Sequence, residues 1–124
     1  MSQRQIRVGE LIKRELSQLL HRYWKIESVT ITLTGVDISP DLKQARVFYS
    51  VFGGREVAAK AGKFLMSVRN RLRMMLGKNV IIKYTPELEF IYDASIERGV
   101  HLMELLDELD AQDAENISSE NTEA

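Results

Sequence analysis

The sequence predicts an α+β domain in which helices cover one face of a three-stranded sheet. Three observations lead there. Apolar residues recur at helical spacing in three stretches, and they alternate at period two in the stretches between. The resulting order is helix, strand, strand, helix, strand, helix, followed by an acidic tail, with no internal repeat. A chain of 124 residues leaves room for one ordinary domain.

Residues 4–24 form the first helix. Val8, Ile12, Leu16, Leu19, Leu20 and Tyr23 make one stripe at a 3.6 period, which Leu11 widens, and Ser2 is placed to cap it. Strand character begins at residue 29, where Val29, Ile31 and Leu33 alternate with threonines. Gly35 interrupts, and Val36 and Ile38 continue the apolar set with changed parity, which predicts a bulge at Gly35. Ser39-Pro40-Asp41 is a turn, and Ala45, Val47, Tyr49 and Val51 mark one face of a second strand over 44–52. A short turn between them makes the two strands antiparallel.

Residues 55–76 predict a second long helix on Val57, Ala61, Phe64, Leu65, Val68, Leu72, Met75 and Leu76. Gly62 costs about 1 kcal/mol relative to Ala, which favours a regular start after it, and Gly77 suits the helix C-terminus. Residues 79–92 alternate again on Val80, Ile82, Tyr84, Leu88, Phe90 and Tyr92, with Pro86 expected at a bulge or edge. Asp93 or Ser95 can cap a last helix on Ile96, Val100, Met103, Leu106 and Leu109. The domain therefore spans 1–109. Residues 110–124 hold a single large apolar residue, Ile117, and are expected to be disordered.

Charge is distributed unevenly. All 17 Lys and Arg fall within residues 1–98 beside 10 acids, a net +7, whereas the last 26 residues carry 8 acids and no base. A basic body of this size suits a polyanion, nucleic acid first. Cysteine is absent, which excludes disulfides, thiolate metal sites and a cysteine nucleophile. The two histidines, His21 and His101, lie far apart and read as solvated surface residues; no metal and no cofactor is expected. Asp93 and Glu97 are carboxylates of the sort a helix start attracts, and no Gly-rich phosphate loop is present. The chain carries no secretory signal and no membrane-spanning stretch, so a cytoplasmic protein with no membrane partner is expected. Phe48 and Phe52 share a strand face and are expected to pack under a helix, and Met66, Met74 and Met75 to fill core gaps.

Longer motifs carry a resemblance. The run Lys83-Tyr84-Thr85-Pro86-Glu87-Leu88-Glu89-Phe90-Ile91-Tyr92-Asp93-Ala94-Ser95-Ile96-Glu97-Arg98-Gly99 resembles the signature of the bacterial ribosome-binding factor A family. So do Val29-Thr30-Ile31-Thr32, Val36-Asp37-Ile38-Ser39-Pro40-Asp41-Leu42, Ala45-Arg46-Val47-Phe48-Tyr49 and the opening Arg7-Val8-Gly9-Glu10-Leu11-Ile12-Lys13-Arg14-Glu15-Leu16. The similarity covers about residues 4–109.

This resemblance implies a type II KH-like RNA-binding domain of order α-β-β-α-α-β, in which two helices meet at a kink where the family has Ala-x-Gly. The matching positions are Val68, Arg69 and Asn70, of which Asn70 tolerates the left-handed conformation best. It also implies a non-enzymatic assembly factor that binds the free small ribosomal subunit and its rRNA during late maturation. Such a factor supports rRNA processing and cold adaptation, acts as a monomer and takes no small-molecule substrate. The expected RNA-binding residues are Arg4, Arg7, Lys13 and Arg14 on the first helix, with Lys60, Lys63, Arg69, Arg71, Arg73 and Lys78 on the second. Contacts should go chiefly to phosphates, with rRNA shape supplying specificity. The alternatives are a protein-interaction module that does not act on RNA, marked by salt-insensitive binding, and a hydrolase, marked by a carboxylate pair in a pocket.

Overall fold

A computed structural model describes residues 2–82 and 84–94, together with Leu106 and Leu109. The chain divides into two units, Met1–Asp93 and Ala94–Ala124. In the second unit Leu106 and Leu109 are helical. The remainder of the expected last helix, His101 and the 110–124 tail lie outside the described residues.

The first unit opens with α1, Gln3–Tyr23. Ser2 closes a capping box with Gln5: the Gln5 amide donates to Ser2 Oγ at 3.2 Å, and the Ser2 amide donates to Gln5 Oε1 at 3.0 Å. The apolar stripe is buried at Ile12, Leu16, Leu19 and Leu20, but its last member, Tyr23, is exposed. Trp24 breaks the helix with φ −134° and ψ 57°, and a single turn, α2 (Lys25–Ser28), follows. Alternation alone did not separate this turn from the strand, and Val29 is exposed instead of starting it.

β1 (Ile31–Ile38) pairs antiparallel with β2 (Gln44–Val51), and the register shifts between Leu33 and Gly35 as the parity change predicts. The extra residue returns Val36 and Ile38 to the face that Ile31 and Leu33 occupy. In the connecting turn the Asp41 carboxylate accepts from the Ser39 hydroxyl at 2.6 Å and from the Lys43 amide at 3.1 Å. Leu42 there takes a left-handed conformation, φ 62°.

α3 runs unbroken from Arg55 to Asn79. Three expectations change here. The helix starts before Gly62, not after it. It passes through Gly77, where a Cβ would stand 2.7 Å from Thr85 Oγ1, so this glycine serves close packing and not termination. No second helix begins at Val68-Arg69-Asn70, and Asn70 does not adopt positive φ. The implied two-helix order is replaced by a single α3. An intact hydrophobic stripe of Ala61, Leu65, Val68, Leu72 and Leu76 gives the chain no reason to turn there.

β3 (Glu87–Tyr92) is shorter than the alternation over 79–92 suggests. Pro86 has no amide hydrogen to give, so the ladder begins one residue later, where the Glu87 amide donates to the Lys43 carbonyl at 2.8 Å. β3 lies parallel to β2, and the mixed sheet has the order β1-β2-β3. α1 and α3 cover one face of this sheet. Ile12, Leu16, Leu20, Leu65, Leu72 and Leu76 meet Ala45, Val47 and Leu88 in a single core. Gly9 lets α1 reach β1, because a Cβ there would lie 2.6 Å from the Val36 carbonyl oxygen. Gln5 Nε2 donates to the Ile38 carbonyl at 2.9 Å and fixes the same end. The other face presents Asp37, Arg46 and Glu89 as a cross-strand row, with Phe48 beside Ile91.

Candidate nucleic-acid interface

Of the ten basic residues singled out by sequence, eight are exposed; Lys13 and Arg69 are partly covered. The two helices divide them. Arg4, Arg7, Lys13 and Arg14 lie on α1, and Lys60, Lys63, Arg69, Arg71, Arg73 and Lys78 on α3. Their side chains stay wet because both helices spend their apolar stripes on the sheet.

The arginine trio on α3 does not form one cluster. Successive helical residues turn by about 100°, so positions two apart lie on opposite flanks of the buried stripe. Arg71 shares a flank with Lys60 and Lys78, and by the same rotation these three fall within about 20° of one another. Arg71 and Lys78 line a groove with Tyr23, Trp24, Met74 and Met75. Arg73 turns the other way and donates from Nη2 to the Thr85 carbonyl at 3.1 Å. Arg69 and Arg73 line a cleft with Asn70, Glu87 and Leu88. The Lys60–Arg71–Lys78 strip extends about 27 Å at 1.5 Å per residue, long enough to follow several phosphates. The other flank is shared with an acid, Glu87, and is electrostatically weaker toward a polyanion.

Trp24 itself is not among the residues that the sequence singles out, because Tyr23 reads as the next member of the α1 stripe. Trp24 instead stands at the joint of α1 and α2, edge-to-face with Phe64 at 6.2 Å and with Tyr23 at 6.3 Å. The Arg22 guanidinium lies 5.5 Å from the Tyr23 ring centroid. His21 belongs to this joint as well: it is exposed, as the sequence suggests, and also touches the joint's buried serine. Its Nδ1 is 3.2 Å from the buried Ser28 Oγ, which donates to the Leu20 carbonyl at 3.2 Å.

Other expectations change at the surface. Phe52 is 89% exposed, and Phe48 faces away from α1 and α3, so this pair does not pack beneath either of them. Met66 and Met74 are exposed as well, and of the three methionines only Met75 packs against the core. Asp41 and Tyr49 carry resolved shifts. Hydrogen bonds from the Ser39 hydroxyl and the Lys43 amide hold the Asp41 carboxyl below its ordinary value, and burial pushes the Tyr49 phenol up. Asp41 lines a cleft with Lys43 and Arg73, whereas Tyr49 belongs to the core. Among the described residues no group of three or more acids or histidines is placed to hold a metal ion, and no helix is long and apolar enough to cross a membrane.

Comparison with known proteins decides the family. A family model described as ribosome-binding factor A matches residues 4–106. The chain belongs to the ribosome-binding factor A family. The ribosome-binding factor A of Opitutus terrae is 37% identical over 121 residues, covering 98% of this chain and 99% of the relative. That of Coxiella burnetii is 40% identical over 120 residues, covering 96% and 100%. The crystal structure of the family member from Thermus thermophilus superposes with a TM-score of 0.63 at 23% identity, over 71% of this chain and 94% of that one. A Thermus thermophilus homology model, fitted into the cryo-EM map of a 30S-RbfA complex, matches with a TM-score of 0.57 at 23% identity, over 69% and 91%. The shared family fold is thus an α+β unit on a three-stranded sheet.

Proposed function

We propose that this protein binds the free small ribosomal subunit on its rRNA during late maturation and supports rRNA processing in the cytoplasm, as a monomer and without catalysing a reaction. The observation that carries this reading is family membership over nearly the whole chain, joined to a structural neighbour that was fitted into the map of a 30S complex. The physical chemistry supports it. A basic body with exposed lysines and arginines on two helices favours phosphate contacts, and rRNA shape supplies specificity. The α3 strip of Lys60, Arg71 and Lys78, with Lys63 and the α1 cluster of Arg4, Arg7, Lys13 and Arg14, forms the main electrostatic footprint. Arg69 and Arg73 contribute from the opposite flank of α3.

Sedimentation of a cell extract tests the reading. The protein is expected to run with free small subunits and to be scarce on complete ribosomes. An even spread over all ribosomal fractions, or absence from them, would overturn it. Growth and small-subunit precursor rRNA in a deletion strain, at low and ordinary temperature, test the processing and cold roles.

A further inference from the structure

The groove at the end of α1 has a chemistry that phosphate binding does not require. It has a volume of about 390 Å³, inside the range of roughly 300–1,000 Å³ usual for sites that enclose a small ligand. Its walls combine two aromatic rings, Tyr23 and Trp24, two methionines, Met74 and Met75, and two cations, Arg71 and Lys78. Among the described residues no carboxylate lines it. Tyr23 is 56% exposed and Met74 65% exposed, while Trp24 is held against Phe64 at 6.2 Å. Exposed apolar groups continue along the chain at Ile26 and Val29. A surface made soluble by lysines and arginines needs none of these rings.

From this combination we propose that the groove takes one unstacked nucleobase of single-stranded RNA. The exposed Tyr23 ring supplies the stacking face, Trp24, set at 66° to it, forms the wall beside the base, and Arg71 and Lys78 hold the adjoining phosphates. Aromatic faces accept every base, and cations beside them hold the backbone. Trp24 is fixed by Phe64 and by the helix joint, so little side-chain freedom is lost when a base arrives. The mixture of apolar walls and positive charge matches a base with its phosphate, whereas an apolar peptide would leave both cations idle. This inference rests on the ribosomal RNA reading above and adds to it a specific nucleotide site.

Trp24 is the single tryptophan of the chain, so its emission reports on the groove alone. The full-length protein is titrated with a single-stranded RNA of about eight nucleotides, within the usual range of single-strand site sizes. A duplex of the same length and inorganic polyphosphate serve as comparisons. The single strand is expected to quench Trp24 saturably, the duplex less, and polyphosphate not at all. Tyr23→Ala is expected to weaken the single strand about five- to hundredfold, the cost of removing one stack, while Tyr23→Phe restores it. Absence of quenching by RNA, equal quenching by polyphosphate or duplex, or unchanged affinity in Tyr23→Ala would overturn the site. Thermal unfolding of each variant separates loss of the stack from loss of the fold. Sedimentation of wild type with purified small subunits distinguishes the two levels. Wild-type binding without Trp24 quenching sinks the groove and leaves the ribosomal reading, and quenching without subunit binding does the reverse.

Discussion

Gly9 stands where α1 crosses β1, and the space for a side chain there is already taken by a backbone carbonyl. A Cβ at 2.6 Å from the Val36 oxygen cannot be accommodated without moving a helix or a strand. Gly9→Ala gains up to about 1 kcal/mol of helix propensity, but overpacking costs roughly 1–3 kcal/mol. The expected result is a net loss of about 1–2 kcal/mol, read in thermal unfolding as a Tm lowered by roughly 5–15 °C. An unchanged or raised Tm would show that α1 shifts freely. Asp41 gives a second residue-scale test, in pH. The Ser39 hydroxyl and Lys43 amide favour the ionised carboxylate in the folded turn, so its folded pKa lies below the unfolded value. The stability it contributes is fully present above the unfolded pKa and is lost as pH falls through the folded one. Asp41→Asn is therefore expected to lower stability at neutral pH and to flatten the acid limb of a denaturation-midpoint profile between about pH 5 and 2. A parallel shift of the whole profile would remove Asp41 as a titrating contributor.

At the scale of elements, α3 decides how the basic residues act. Because it continues through Val68-Arg69-Asn70, Arg71 keeps the flank of Lys60 and Lys78, while Arg73 is tied to the Thr85 carbonyl. Lys60→Ala, Arg71→Ala and Lys78→Ala together are expected to lower small-subunit binding more than Arg69→Ala with Arg73→Ala. The slope of log affinity against log salt should flatten by about 0.7 for each phosphate of single-stranded RNA that the protein no longer neutralises. Binding at two salt concentrations measures this, and equal effects of the two sets would show that both flanks meet RNA. Much of this element was legible in the sequence. The stripe of Ala61, Leu65, Val68, Leu72 and Leu76 specified one long helix, whereas the closeness of Arg69, Arg71 and Arg73 in sequence reads as a single basic strip and conceals that residues two apart on the unbroken helix take opposite flanks. The extent of β3 was not legible, because Val80 and Ile82 alternate like strand residues yet precede the proline that bars a ladder. The bulge was legible because a parity change has only one economical explanation. The aromatic groove was hidden because Tyr23 continues a periodic stripe beyond the point where Trp24 ends the helix.

For the whole molecule, charge separation along the chain is the dominant feature, and it sets one further expectation. Residues 1–98 carry a net +7, and residues 110–124 hold Asp110, Asp113, Glu115, Glu120 and Glu123 with no base. Acids on the same chain act at an effective concentration that acids in solution do not reach, and so compete with phosphate for basic residues within their range. Such competition grows as salt falls, because the Debye length is about 10 Å at 0.1 M and lengthens below it. We therefore expect truncation after Leu109 to raise nonspecific RNA affinity below about 0.1 M salt and to leave it nearly unchanged at several times that concentration. The domain itself should be nearly indifferent, since residues 110–124 offer only one large apolar residue, Ile117, to any core. A Tm lowered by many degrees would mean that this segment docks as part of the fold. RNA affinity unaltered at low salt would mean that its charge does not reach the basic helices. Replacing the five acids with their amides in the full-length chain separates charge from length: if amidation reproduces the low-salt gain, electrostatic competition is the cause, and if only truncation does so, the segment acts by occupying space.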